Sequence, residues 1–160
     1  MDSPIPLLEA LAGVLAREEA ALTELLRQAD ATRDALIASD FAALESANRS
    51  MQSSTSELLR LGREREALLV SFGGPGATLN DALALASELG LSLLEVRRQR
   101  LAATASLLQQ AQERNARLVL GAVRLRERWF NMLAGMISPT YGSAGRQNPA
   151  ASRRFVSKTA

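Results

Sequence analysis

The chain has 160 residues, of which 47% are apolar and only 4% aromatic, and it carries a net charge of +2. It contains neither Cys nor His, which excludes disulfides, thiolate nucleophiles, imidazole bases and Cys/His metal sites. Leu and Ala dominate the apolar residues and both favour helices, so we expect one all-α domain. No apolar run approaches the roughly 20 residues that span a bilayer, and no signal peptide is apparent, so we expect a cytoplasmic protein.

The first predicted helix covers residues 3–37 and carries an apolar seam with alternating steps of three and four residues. The seam consists of Leu8, Leu11, Leu15, Glu18, Leu22, Leu25, Ala29, Thr32 and Leu36. Such a seam is typical of helix-on-helix packing. The capping residues Ser39 and Asp40 follow it, so the helix either restarts there or continues with a bend.

The second predicted helix covers residues 40–71 and ends at the strongest helix breaker in the sequence. Its apolar face consists of Leu44, Ala47, Met51, Leu58, Leu61 and Leu68. The breaker is the segment FGGPG at residues 72–76. Thr78 and Asp81 then resemble a capping box, with Asp in place of Glu, and predict a short helix over residues 79–89.

The last predicted helix covers residues 92–137 and is the longest. Its heptad seam consists of the columns Leu94, Leu101, Leu108, Asn115, Ala122, Trp129, Met136 and Arg97, Thr104, Ala111, Leu118, Leu125, Met132. A repeat sustained this far predicts a helix of about 65 Å and an extended, coiled-coil-like antiparallel three-helix bundle. Residues 138–160 are small, polar and basic, and they predict a flexible, disordered tail.

Two features of the last helix have a structural and a functional interpretation. Asn115 either fixes the register of the seam, or it marks where the bundle ends and a groove for another molecule begins. The helix is longer than its two partners, so its end, which carries Trp129, Phe130 and Met132, either accepts an amphipathic helix or covers the core or a homodimer contact. The residue pattern leaves both pairs of interpretations open.

The last helix is also rich in arginine, which raises the question of nucleic-acid binding. The arginines are Arg97, Arg98, Arg100, Arg114, Arg117, Arg124, Arg126 and Arg128. No aromatic residues interleave with them, so ion pairing with the acids of the first helix (Glu9, Glu18, Glu19 and Glu24) is favoured. No glycine-rich phosphate loop and no catalytic constellation is present, so we predict neither an enzyme nor a cofactor.

Four features in this order resemble the FlgN family of flagellar export chaperones. They are the segment ASDFAAL at residues 38–44 inside a Leu-rich hairpin, ERNARL at residues 113–118, an apolar helix end, and TYGSAGR at residues 140–146. Each motif is short, and their order and spacing carry the resemblance. It covers residues 7–146, whereas Trp129 and the Gly-Gly-Pro-Gly turn have no counterpart in the family pattern.

The resemblance implies a cytosolic chaperone that binds the C-terminal amphipathic segment of hook-associated proteins, keeps them unpolymerised and delivers them to the membrane export gate. It implies that the client lies on the last helix, at Leu118, Ala122, Leu125, Trp129, Met132, Leu133 and Met136. It further implies docking to the export gate through Tyr141 and Gly142. No nucleic acid and no small-molecule substrate is expected, and a weak homodimer stays open.

Two other classes of protein are kept as alternatives. One is a homo-oligomeric coiled-coil scaffold or regulator that uses the same seam. The less favoured one is an arginine-rich helical protein that binds nucleic acid, whose association would depend steeply on salt.

Overall fold

The computed structural model describes residues 4–137, with side chains for residues 4–135. Four helices follow one another: α1 (Ile5–Ala38), α2 (Phe41–Gly73), α3 (Leu79–Glu88) and α4 (Leu93–Ile137). The predicted all-helical fold, with three long packed helices and a short helix before the last, is confirmed. The chain divides into two units, Met1–Leu118 and Val119–Ala160, and α4 contributes to both. The predicted basic tail lies outside the described residues.

Helix α1 ends and α2 begins anew at Ser39 and Asp40. Ser39 has a left-handed φ of 56°, and the N–H groups of Ser39 and Asp40 donate to the carbonyl oxygens of Leu36 and Ala35. The Asp40 carboxylate then accepts a hydrogen bond of 3.0 Å from the N–H of Ala43, as an N-cap residue does. The two helices are therefore separate elements joined by a tight turn.

Glycines and a capping box join α2, α3 and α4. Gly74 and Gly76 have φ values of 78° and 95°, which residues with a Cβ rarely adopt, and Gly90 between α3 and α4 has a φ of 73°. Thr78 and Asp81 form the capping box that the sequence predicts. The N–H of Asp81 donates to Thr78 Oγ1 at 3.3 Å, and the N–H of Thr78 donates to Asp81 Oδ2 at 2.8 Å.

Helix α1 shares both apolar clusters of the Met1–Leu118 unit with the other helices. The first cluster contains Leu8, Leu11, Ala12 and Leu15 of α1, Leu69 of α2, Ala82 and Ala86 of α3, and Leu94 of α4. The second contains Leu22, Leu25 and Ala29 of α1 with Leu108 and Ala111 of α4. The start of α1 thus lies beside the end of α2 and the start of α4, so α2 runs antiparallel to α1 and α4 runs parallel to it.

A charged residue of the α1 seam is buried between these clusters. The side chain of Glu18 is only 4% exposed, and both of its carboxylate oxygens accept hydrogen bonds of 2.7 Å from Arg65 Nη1 on α2. A buried carboxylate needs such a cation, because removing it from water is costly. The seam therefore contains one ion pair that ties α1 to α2.

Candidate functional site

The burial of α4 ends at Asn115. Leu94, Leu108 and Ala111 are buried in the two clusters, and Asn115 is half-buried. Every side chain from residue 116 to residue 135 is exposed. The helix continues through this segment without interruption to Ile137. The apolar seam of α4 is therefore covered over its first half only.

Two polar contacts hold α4 against α1 where this burial ends. Asn115 Nδ2 donates a hydrogen bond of 2.8 Å to the backbone oxygen of Ala29 on α1. One residue earlier, Arg114 forms an ion pair of 3.6 Å with Asp30. A directional bond of this kind disfavours a shifted alignment of the two helices. It is the contact that a register role for Asn115 requires, and that role stays a prediction.

Beyond Asn115 the seam is an exposed apolar stripe. We use "distal stripe" for Leu118, Ala122, Leu125, Trp129, Met132 and Leu133. Its large side chains are between 39% and 56% exposed. Residues three, four and seven apart share one face of a helix, so the distal stripe is continuous. A contiguous exposed apolar surface on a protein usually marks a site of interaction.

The structure does not describe all of the predicted site residues, and it adds others. The side chain of Met136 and both predicted docking residues, Tyr141 and Gly142, lie outside the described residues. The structure also adds Val119 and Val123, two exposed apolar residues that our sequence analysis did not include, beside Phe130 of the predicted apolar helix end. Their spacing of four and seven residues places them in a second row beside the distal stripe. That spacing was the signal that would have identified them.

The arginines of α4 differ in their partners along the helix. Arg97 pairs with Glu19 of α1 at 3.5 Å, and Arg114 pairs with Asp30. Arg98 and Arg117 pair with acids of α4 itself, Glu95 and Glu113. By contrast, Arg124, Arg126 and Arg128 have no ion pair with any residue that the structure describes.

The expected pairing of the α4 arginines with four acids of α1 is therefore only partly right. Glu19 does pair with α4, but Glu18 is taken by Arg65 of α2, and Glu24 by Arg27 of α1 itself. The reason is proximity, since Arg27 is one turn away from Glu24 on the same helix, and Arg65 lies opposite Glu18 across the α1–α2 contact.

The carboxyl groups of Glu24 and Glu95 are not prepared for acid–base catalysis. The Arg27 guanidinium and the Gln28 amide lower the pKa of Glu24 to about 2, and Arg98 and Gln99 do the same to the pKa of Glu95. A catalytic acid needs a raised pKa instead. Within residues 4–135 no three acidic side chains converge on a metal-sized site. In the described part of the chain no helix has the length and apolarity that a bilayer crossing requires.

Comparison with known proteins identifies the family. The model of the FlgN protein family matches residues 1–149, which is nearly the whole chain. The chain belongs to the FlgN family. FlgN proteins are non-enzymatic flagellar export chaperones for hook-associated proteins and act in the cytoplasm. No curated protein and no solved structure matches the chain significantly.

Proposed function

We propose that this FlgN chaperone holds the C-terminal amphipathic segment of a hook-associated protein on the distal stripe of α4. The observation that supports this site is that burial ends at Asn115 while the apolar pattern continues to the end of the helix. An amphipathic segment binds a partner by laying its apolar face against another apolar face. The distal stripe offers such a face within the described residues.

The composition of the stripe suits a client that has to be released again. Trp129 supplies a large, rigid contact, and Met132 adapts its shape to irregular neighbours. The covered surface is small, and ordering an unfolded client segment costs free energy, so the resulting affinity is modest. Modest affinity permits handover at the export gate, whereas a hidden apolar face keeps the client from polymerising beforehand.

Backbone hydrogen exchange tests this site. Full-length hook-associated proteins from the same organism are added one at a time, and exchange is followed along the chain. We expect slower exchange in residues 119–133 and little change in residues 5–38, because a bound helix shields the amides beneath it. Formation of a complex without slower exchange in residues 119–133 would place the client elsewhere.

The same face would also fit a second copy of the chain, and light scattering separates the two cases. We expect a monomer that gains the mass of one client. A stable dimer that dissociates when client is added would leave the stripe as the client site. A dimer that persists with client bound would assign the stripe to a coiled-coil contact instead.

We further propose that Tyr141 docks the loaded chaperone to the export gate at the membrane. Such docking takes place on the cytoplasmic side, where the chaperone acts. This role comes from the Tyr-Gly element at residues 140–146 and from the family resemblance. We expect Tyr141→Ala to leave client affinity unchanged and to lower the export of hook-associated proteins. Normal motility and normal export in cells that carry this variant would contradict the role.

A further inference from the structure

Arg126 lies between the two apolar rows at the end of α4. It precedes Trp129 by three residues and Phe130 by four, and it follows Ala122 by four and Val123 by three. At about 100° per residue these four side chains surround it on the helix surface. Three of them are exposed hydrophobic or aromatic side chains of large size (Val123, Trp129 and Phe130). Arg126 is thus a charged residue inside an apolar surface.

Arg126 shares with Arg124 and Arg128 the lack of an ion pair among the described residues, which sets these three apart from most arginines earlier in the chain. In residues 4–118, ten of the twelve arginines lie within 4.0 Å of a carboxylate, the two others being Arg63 and Arg100. Arg126 lacks such a partner among the described residues, although Glu127 is its neighbour in sequence. The residue is charged, and nothing in the described part of the chain neutralises it.

A helix that covers Trp129 and Phe130 also removes water from the guanidinium of Arg126. An arginine that loses water without gaining a carboxylate weakens the complex, whereas a carboxylate placed opposite it forms a charge-assisted pair. We infer that the client segment carries an Asp or Glu among the apolar residues of its chaperone-facing side, and that this carboxylate pairs with Arg126. The inference rests on the proposed site and names the chemistry of its client.

The pair confers selectivity as well as affinity. An amphipathic helix whose chaperone-facing side is purely apolar leaves Arg126 buried and unpaired. The chaperone therefore binds such a helix more weakly. A client with one acid at the correct position satisfies the arginine. Arg126 is therefore the residue that distinguishes an intended client from other exposed amphipathic segments.

Arg124 provides a matched control on the same helix. It is also exposed and also lacks an ion pair among the described residues. Its helix neighbours three and four residues on are Glu127 and Arg128, so it lies on the polar side, away from Trp129. A client seated on the distal stripe leaves Arg124 in water, where a charge contributes little to binding.

The test is a calorimetric titration of Arg126→Gln and Arg124→Gln with full-length hook-associated proteins of the same organism. We expect Arg126→Gln to weaken binding at least about tenfold and Arg124→Gln by no more than about threefold. Arg126→Lys, which keeps the charge but loses the two-pronged geometry, is expected to lie between them. Circular dichroism verifies that each variant keeps its helix content.

A second set of titrations identifies the partner carboxylate. Each Asp and Glu in the C-terminal segment of the client is changed to Asn or Gln in turn. We expect one of these changes to weaken binding to the unmodified chaperone but not to Arg126→Gln, because the pair is then already broken. Equal affinities of Arg126→Gln and Arg124→Gln, tighter binding by Arg126→Gln, or no coupled carboxylate would each overturn the inference.

A third variant distinguishes failure of this inference from failure of the proposed site. If Trp129→Ala combined with Met132→Ala weakens binding while Arg126→Gln does not, the client lies on the distal stripe and Arg126 extends its guanidinium into water. If neither variant affects binding, the stripe itself is not the client site.

Discussion

Replacing both Trp129 and Met132 by Ala removes the aromatic side chain of the distal stripe and its most flexible apolar side chain. Trp129 is 56% exposed and Met132 is 48% exposed in the absence of client. Covering about half of a Trp side chain, on the order of 100 Å², contributes about 2.5 kcal/mol, and half of a Met side chain contributes about 1 kcal/mol. Incomplete coverage by the client, and the apolar surface that each Ala still buries, reduce this difference to about 2 kcal/mol. The double variant should therefore bind about thirtyfold more weakly.

Isothermal titration with full-length hook-associated protein measures this loss. Leu107→Ala is the matched control, because Leu107 is 52% exposed on the same helix but lies before Asn115. We expect the control to bind within about twofold of the unmodified protein, and both variants to keep their helix content by circular dichroism. Trp129 is the only Trp of the chain, so its fluorescence gives an independent signal of client binding in the unmodified protein.

The reasoning would be refuted by a particular combination of results. If the double variant keeps its helix content and binds client within about threefold of the unmodified protein, the stripe contributes too little to be the site. If Leu107→Ala weakens binding as much as the double variant does, the client covers the first half of α4 as well. In either case the end of burial at Asn115 does not locate the client.

Two further predictions concern the stability of the bundle. Arg65→Ala leaves the carboxylate of Glu18 buried without a cation, so the free energy of unfolding should fall by about 2–4 kcal/mol. Arg60→Ala, which breaks an exposed ion pair, should leave the melting temperature nearly unchanged. Equal melting temperatures of these two variants would contradict the role of the buried pair. The folded-state pKa of about 2 for Glu24 and Glu95 lies below their ordinary 4.5, so their stabilisation is complete above pH 4.5 and is lost as the pH falls towards 2. The melting temperature should therefore be constant from about pH 5 to 8, because the chain has no His, and should fall in acid. A melting temperature unchanged down to pH 2.5 would show that these pairs do not stabilise the fold.

The covered parts of the helices could be predicted because their signals are local. The seam of α1 is visible as apolar residues at steps of three and four, and most of its predicted members, from Leu8 to Ala29, are buried. The capping box at Thr78 and Asp81 depends on residues only three apart. In both cases the residues that form the pattern are neighbours in sequence or lie on one face of one helix.

The limits of burial and the choice of ion-pair partners were not predictable in this way. Leu108 and Trp129 occupy the same column of the heptad pattern, yet Leu108 is buried and Trp129 is 56% exposed. The burial of Leu108 depends on its contact with Leu22, Leu25 and Ala29 of α1, which the sequence of α4 does not contain. The sequence analysis likewise assigned Glu18 to an arginine of α4, whereas the packing of α1 against α2 places it beside Arg65.

The continuity of α4 has a consequence for how the distal stripe keeps its shape. Starting a helix is unfavourable, whereas extending one is nearly neutral, and the buried turns up to Ala111 supply the start. Because the side chains of residues 116–135 are exposed, we expect the turns that bear Trp129 to be helical by propagation from that start. A local break in the backbone near Gly121 would disconnect them from that nucleus and unwind the stripe, while the clusters beside α1 would stay intact. If the client lies on the distal stripe as proposed, such unwinding would release it without a change in the clusters beside α1.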